Sequence, residues 1–124
     1  MAWEYSQKTG VLTHNSVFFA QGYSGKDSGT NKGKNNPALE SIVGIGPIPR
    51  GTYTITAHTN SKGPWTIWLE PTVATDTFGR TNFRIHGDNK ATMGSSSEGC
   101  IIINGKQLRM SIVTSIDKEL KVTE

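Results

Sequence analysis

The chain of 124 residues holds one cysteine, Cys100. A single thiol cannot close an internal disulfide, so pairing says nothing of redox compartment and the fold must rest on its apolar core. Long hydrophobic runs are missing as well. No stretch approaches the roughly 20 apolar residues a membrane-spanning helix needs, which predicts no membrane span. The first residues, Met1-Ala2-Trp3-Glu4-Tyr5, lack the basic start and apolar stretch of a signal peptide. That predicts synthesis in the cytoplasm, with export by another route or none. Charge of one sign is scarce: 13 Lys and Arg against 10 Asp and Glu leave a net charge of +3. The basic residues are scattered, with a loose group at Lys26, Lys32 and Lys34, so a nucleic-acid partner is not expected. That group reads as a solvated loop, or as a weak aid to meeting an anionic surface.

Cofactor motifs are absent too. Gly25-Lys26-Asp27-Ser28 resembles a phosphate loop only superficially, because Ala20 stands where the leading glycine belongs and Asp27 follows the lysine. No paired-ligand spacing supports a metal. A zinc site from His86, Asp88 and Cys100 is a minor alternative, and neither metal nor cofactor is expected. With no repeats and no linker, residues 1–124 read as one domain.

What is present is strand pattern. Residues 3–7 alternate apolar and polar, and Lys8-Thr9-Gly10 supplies a turn with a glycine suited to positive φ. Residues 11–14 and the apolar run 17–20 follow, separated by a turn at Asn15, making a small meander. Residues 22–37 are nearly all Gly, Ser, Asn, Lys and Asp and predict a long loop. Pro47 and Pro49 hold 44–51 extended and forbid a central strand there. Residues 52–57 alternate again with Tyr53, Ile55 and Ala57 on one face, as do 65–69 with Trp65, Ile67 and Leu69. A short strand at 83–85 feeds His86, and 99–103 has the length of a buried strand. The one helix predicted spans 106–116, where Leu108, Ile112 and Ile116 recur every fourth residue with Val113 beside them. Residues 118–122 read as a closing strand. The fold class predicted is mainly β with one amphipathic helix near the C-terminus.

Chemistry concentrates in 83–101. A strand ends at His86-Gly87-Asp88, a polar Gly- and Ser-rich loop follows, and a new apolar strand begins at Cys100. Side chains at strand ends beside loops are held rigidly yet stay reachable. A free thiol is only a few per cent thiolate at neutral pH, and a neighbouring imidazole can take its proton and return it to a leaving amine. Gly99 has no Cβ to obstruct a substrate backbone. The amides of Gly99 and Cys100 are candidates for an oxyanion site. Taken alone, Cys100 also fits an inert core thiol and His86 an ordinary histidine. His14 and His58 read as exposed strand or loop residues.

His86-Gly87 followed by Ser97-Glu98-Gly99-Cys100 resembles the signature of L,D-transpeptidases, in which a His-Gly precedes Ser/Thr-His-Gly-Cys. Gly46-Pro47-Ile48-Pro49-Arg50-Gly51-Thr52-Tyr53 is similar to a stretch those enzymes carry upstream. Trp3-Glu4-Tyr5, Thr9-Gly10, Leu12, Gly22-Tyr23-Ser24-Gly25 and Asn35-Asn36-Pro37 extend the likeness to the L,D-transpeptidase-type antibacterial effectors of type VI secretion. The resemblance covers the chain to about Ile103. It implies a β-sandwich or barrel and acyl transfer on peptidoglycan stem peptides, with Cys100 as nucleophile and His86 as base then acid. It also implies an orienting acceptor at Gly87 or Asp88 and an oxyanion site at Gly99 and Cys100. Arg84, Tyr23 and the Ser95-Ser96-Ser97 run become candidate substrate contacts, although serines in such a loop are also ordinary turn residues. Delivery into the periplasm of a target bacterium is implied, with a type VI secretion carrier and a periplasmic immunity protein as partners. Glu98 departs from the histidine of the housekeeping signature, and an ionised carboxylate facing the sulfur would oppose thiolate formation. The rival function is a non-catalytic wall-binding or inhibitor module on the same scaffold.

Overall fold

The computed structural model describes residues 2–60, 63–88 and 99–124. Its first three strands form the expected meander: β1 (Trp3–Ser6), β2 (Val11–His14) and β3 (Val17–Gln21). Gly10 takes the first turn at φ 75°, and Asn15 and Ser16 take the second at 53° and 66°. Two successive positive φ values are what a two-residue hairpin turn requires. The Gly/Ser/Asn-rich tract contains more than loop. Tyr23–Ser24 is strand β4, Asp27–Ser28 and Asn31–Lys32 pair as the small hairpin β5–β6, and Pro37–Leu39 is a 3₁₀ turn capped by the Asn36 side chain.

The remaining elements are β7 (Gly51–Thr59), β8 (Thr66–Pro71), β9 (Arg84–His86), β10 (Ile101–Ile102), α1 (Lys106–Thr114) and β11 (Glu119–Thr123). Nine strands make one sheet in the order β3-β2-β1-β11-β7-β8-β9-β10-β4. Pairing is parallel at β1/β11 and β9/β10 and antiparallel elsewhere. The two outermost strands, β3 and β4, are joined by Gly22 alone, so the sheet curls back almost into a barrel. A Cβ on Gly22 would stand 2.1 Å from the Ile102 carbonyl oxygen, so the junction needs glycine. The fold is therefore the mainly β architecture with one helix that the alternation predicted, and its barrel-like closure is the one the resemblance implied.

Alternating side chains of these strands fill the core, among them Trp3, Tyr53, Ile67, Ile85, Ile101 and Leu120. Two expectations need correction. Ala57 is exposed, because the β7/β8 register shifts between Ile55 and His58 and turns the strand over. The helix ends at Thr114, so Ile116 is 95% exposed instead of packing with Ile112 and Val113. There Ser115 goes extended and Lys118 Nζ donates to the Val113 carbonyl at 2.6 Å, closing the helix before Ile116. His14 is half-buried rather than exposed. Its ring stacks on Trp3 at 3.9 Å and its Nε2 meets Asp117 Oδ2 at 2.6 Å. Among the described residues no helix is long and apolar enough to cross a membrane.

Glu40 ties the segment before β7 to β1. Its Oε1 accepts from Gln7 Nε2 at 2.9 Å and from the Arg50 amide at 3.0 Å, and its Oε2 accepts from Arg50 Nη2 at 2.6 Å. Burial alone would raise the Glu40 carboxyl, but these bonds with the Arg50 charge bring it below its ordinary 4.5. The His14 hydrogen bond likewise holds Asp117 below the usual carboxylate value. A depressed folded-state value means stability that is present above the ordinary value and lost as pH falls through the folded one. The melting temperature is therefore expected to fall steadily as pH drops below about 4.5. In the Glu40→Gln variant the melting temperature should start lower at pH 7 and fall less steeply. Parallel melting curves for the two proteins across that range would contradict the Glu40 assignment.

Candidate active site

Strands β9 and β10 lie side by side in parallel, with Ile101 opposite Ile85 and Ile102 opposite His86. Ile85 and Ile101 point into the core, so strand alternation turns both His86 and Cys100 to the other face. On the far side of β10, Tyr23 and Ser24 of β4 pair with Ile102 and Ile101. The tract predicted as loop thus supplies the strand beside the cysteine. Ser24 Oγ donates to the Cys100 carbonyl and accepts from the Ile48 amide, each at 2.8 Å. Cys100 is 7% exposed, and its Sγ lies 3.7 Å from the Asn82 carbonyl oxygen as a thiol donor. Asn82 reaches that position with φ at 63°, a conformation asparagine tolerates better than most residues.

The His86 ring is buried, with Nδ1 2.8 Å from the Gly87 carbonyl oxygen. A carbonyl only accepts, so Nδ1 carries a proton, and in the neutral form of the ring the lone pair is then on Nε2. Of the two orienting acceptors considered, the imidazole meets Gly87. Asp88 instead fixes the turn. Its Oδ1 accepts from the Tyr23 hydroxyl and its Oδ2 from Asn104 Nδ2 at 2.9 Å, while its amide donates to Asn104 Oδ1 at 2.8 Å. Tyr23, expected at the substrate, therefore directs its hydroxyl to this turn, with Lys34 Nζ 4.4 Å over its ring. Arg84 shares the His86 face, its guanidinium 4.8 Å over the Trp68 ring. Its Nε is buried without a hydrogen-bond partner among the described residues. Ser95, Ser96 and Ser97, and Glu98 with them, lie outside the described residues. Among those described, His86, Asp88 and Cys100 form no group able to hold a metal.

Two buried arginines frame the turns. Arg109 Nη1 donates to the Ile103 carbonyl at 2.6 Å, and its Nη2 and Nε reach Pro64 and Trp65 carbonyls at 3.0 and 3.2 Å. A Cβ at Gly87 would stand 3.0 Å from Arg109 Nη1. Arg80 Nη1 donates to the Glu40 and Pro47 carbonyls, the latter at 2.8 Å, and Nη2 to Gly46 at 3.0 Å. A Cβ at Gly99, where φ is 122°, would fall 2.1 Å from Arg80 Nη2. Burial lowers both guanidinium groups from their ordinary value. For Arg80 this is partly offset by attraction to Tyr53, Cys100 and Glu40. Arg80 and Asn82 also line a cavity of about 310 Å³, with Trp68, Glu70, Thr77 and Phe83 in its wall.

The family model of the Tlde1 domain matches residues 19–123. The chain belongs to that family. It is a family of type VI secretion effectors. No curated protein and no solved structure matches the chain. In this Tlde1 domain the sequence reading missed three residues that hold the turns: Arg80, Asn104 and Arg109. Arg109 left a signal, because it precedes Ile112 and Val113 by three and four positions and so shares their buried face. Asn104 and Arg80 left none, since their partners are a turn and backbone carbonyls far off in the chain.

Proposed function

We propose that the chain is a cysteine-dependent acyl-transfer enzyme acting on peptidoglycan stem peptides, as an L,D-carboxypeptidase, an L,D-transpeptidase, or both. The observation that carries this reading is the contact between His86 Nδ1 and the Gly87 carbonyl, on the strand beside Cys100, in a chain of this effector family. Nε2 takes the thiol proton, and the sulfur adds to the carbonyl carbon of the diamino acid at stem position three. The carbonyl oxygen becomes the oxyanion, facing the amides of Gly99 and Cys100. Collapse breaks the bond to the terminal D-alanine, whose nitrogen receives the proton from His86, and a thioester remains on Cys100. Water then yields a tripeptide stem, whereas a free D-amino acid yields an exchanged tetrapeptide. Arg84, on the face of β9 that carries His86, is assigned to the carboxylate of the substrate. The target is the periplasm of another bacterium, reached on a type VI secretion carrier, and the producer is guarded by a periplasmic immunity protein.

The rival reading, a non-catalytic wall-binding module, draws on the burial of Cys100. Incubation of purified sacculi with the protein separates the two. Tripeptide stems, or stems carrying an added D-amino acid, are the expected products. Unchanged stems would end the enzyme reading.

A further inference from the structure

Strand register carries the candidate site beyond Cys100 and His86. Ile101 stands opposite Ile85 and Trp68 opposite Arg84, so Cys100, Arg84 and Trp68 follow one another across β10, β9 and β8 on the face turned from the core. The β8/β9 pairing continues past Trp68, with the Leu69 amide donating to the Phe83 carbonyl at 2.9 Å, which brings Glu70 abreast of Asn82. Glu70, Asn82 and Trp68 all line the cavity of about 310 Å³. The Asn82 carbonyl oxygen is the one 3.7 Å from the Cys100 sulfur, so the cavity wall and the thiol share a residue. We propose that this cavity is the subsite for the side chain of the stem's diamino acid, with Glu70 as the specificity-determining residue that pairs with its ammonium. The proposal rests on the reading of Cys100 as the nucleophile that attacks the carbonyl of that diamino acid.

A diamino acid carries a second amine, cationic at neutral pH, at the end of an apolar stem. Such a side chain is held by apolar wall along the stem and a carboxylate at its tip. The cavity offers both. Trp68, Pro71 and Phe83 contribute apolar wall, and Glu70 is the only carboxylate among the described residues that line it. Glu70 is exposed, and among the described residues its carboxylate makes no hydrogen bond and no ion pair, so it meets a cation without giving up a partner. Arg80 also touches the cavity, but it is 5% exposed and both its Nη atoms donate to backbone carbonyls. The volume lies at the low end of ligand pockets, about 300 Å³, which suits one side chain and not a whole stem. Reach agrees as well. Strand β8 lies two strands from β10, about 10 Å away at the usual spacing. A stem of about four carbons, met by the Glu70 side chain from the far side, closes that gap. Arg84 stands between them with its guanidinium over the Trp68 ring, placed for a carboxylate and not for the ammonium.

The test is the steady-state kinetics of wild type, Glu70→Gln and Glu70→Lys on two synthetic tetrapeptide stems, one with the side-chain amine of its third residue free and one with that amine acetylated. Wild type is expected to favour the free amine roughly tenfold in kcat/KM. The preference should fall on KM, because the ion pair is made alike in the bound substrate and the transition state. Glu70→Gln should lose it, with KM for the free-amine stem raised about tenfold and both constants for the acetylated stem near those of wild type. Glu70→Lys should favour the acetylated stem. A merely structural Glu70 would instead change the two stems together. Wild type that turns over both stems alike, or a Glu70→Gln variant that keeps the preference, overturns the proposal and leaves the nucleophile reading standing. Wild type that cleaves neither stem overturns both.

Discussion

Replacing His86 with alanine is expected to cut product formation about a thousandfold without unfolding the protein. The imidazole is asked to act twice, accepting the thiol proton and later donating to the leaving amine, and no other described side chain shares its hydrogen bond to Gly87. Its ring is buried on the face away from Ile85, so truncation leaves a small void outside the core rather than in it. The loss should fall on kcat rather than KM, because the interaction is made as the proton moves and not on binding. Iodoacetamide labelling of Cys100 near neutral pH should slow in parallel. A variant that keeps activity within tenfold of wild type would remove His86 from the mechanism.

Gly99→Ala is expected to be the most damaging small substitution at the site. At φ 122° an alanine is strained by about 1–3 kcal/mol. Its methyl would also fall 2.1 Å from Arg80 Nη2, a guanidinium that three carbonyls prevent from swinging aside. Relieving that clash breaks at least one charge-assisted hydrogen bond, each contributing about 1.5–3 kcal/mol. A total loss of about 3 kcal/mol or more should lower the melting temperature by roughly 10 °C. Activity should fall further than stability, since the same turn carries the Cys100 amide. Thermal unfolding that changes by less than about 2 °C would show that Arg80 is not locked against this glycine.

The sequence made the strands legible wherever side chains alternate, because alternation records which face meets the core. Trp3 and Tyr5, Tyr53 and Ile55, Ile67 and Leu69 all obey it. It failed at Ala57, where a register shift inverts the faces, and at Ile116, where the chain must leave the helix to reach β11. Strand β4 was hidden, since two residues in a polar tract become a strand only through pairing with β10. That Cys100 and His86 lie at strand ends beside glycines could be read from the sequence, while their pairing as nucleophile and base came from the resemblance alone. Which group orients the imidazole could not be read, as a carbonyl and a carboxylate stand one residue apart. Arg80 stayed invisible for a related reason: it binds backbone carbonyls, which every residue possesses and no motif encodes.

The central claim is that Cys100 breaks and makes acyl bonds in peptidoglycan stems with His86 as its base. The most direct measurement is the stem-peptide composition of purified sacculi after incubation with wild type and with Cys100→Ala. Wild type is expected to convert tetrapeptide stems to tripeptides, or to exchange their terminal residue when a free D-amino acid is supplied, and Cys100→Ala to leave them unchanged. Stems left intact by the wild type, or altered equally by the alanine variant, would contradict it.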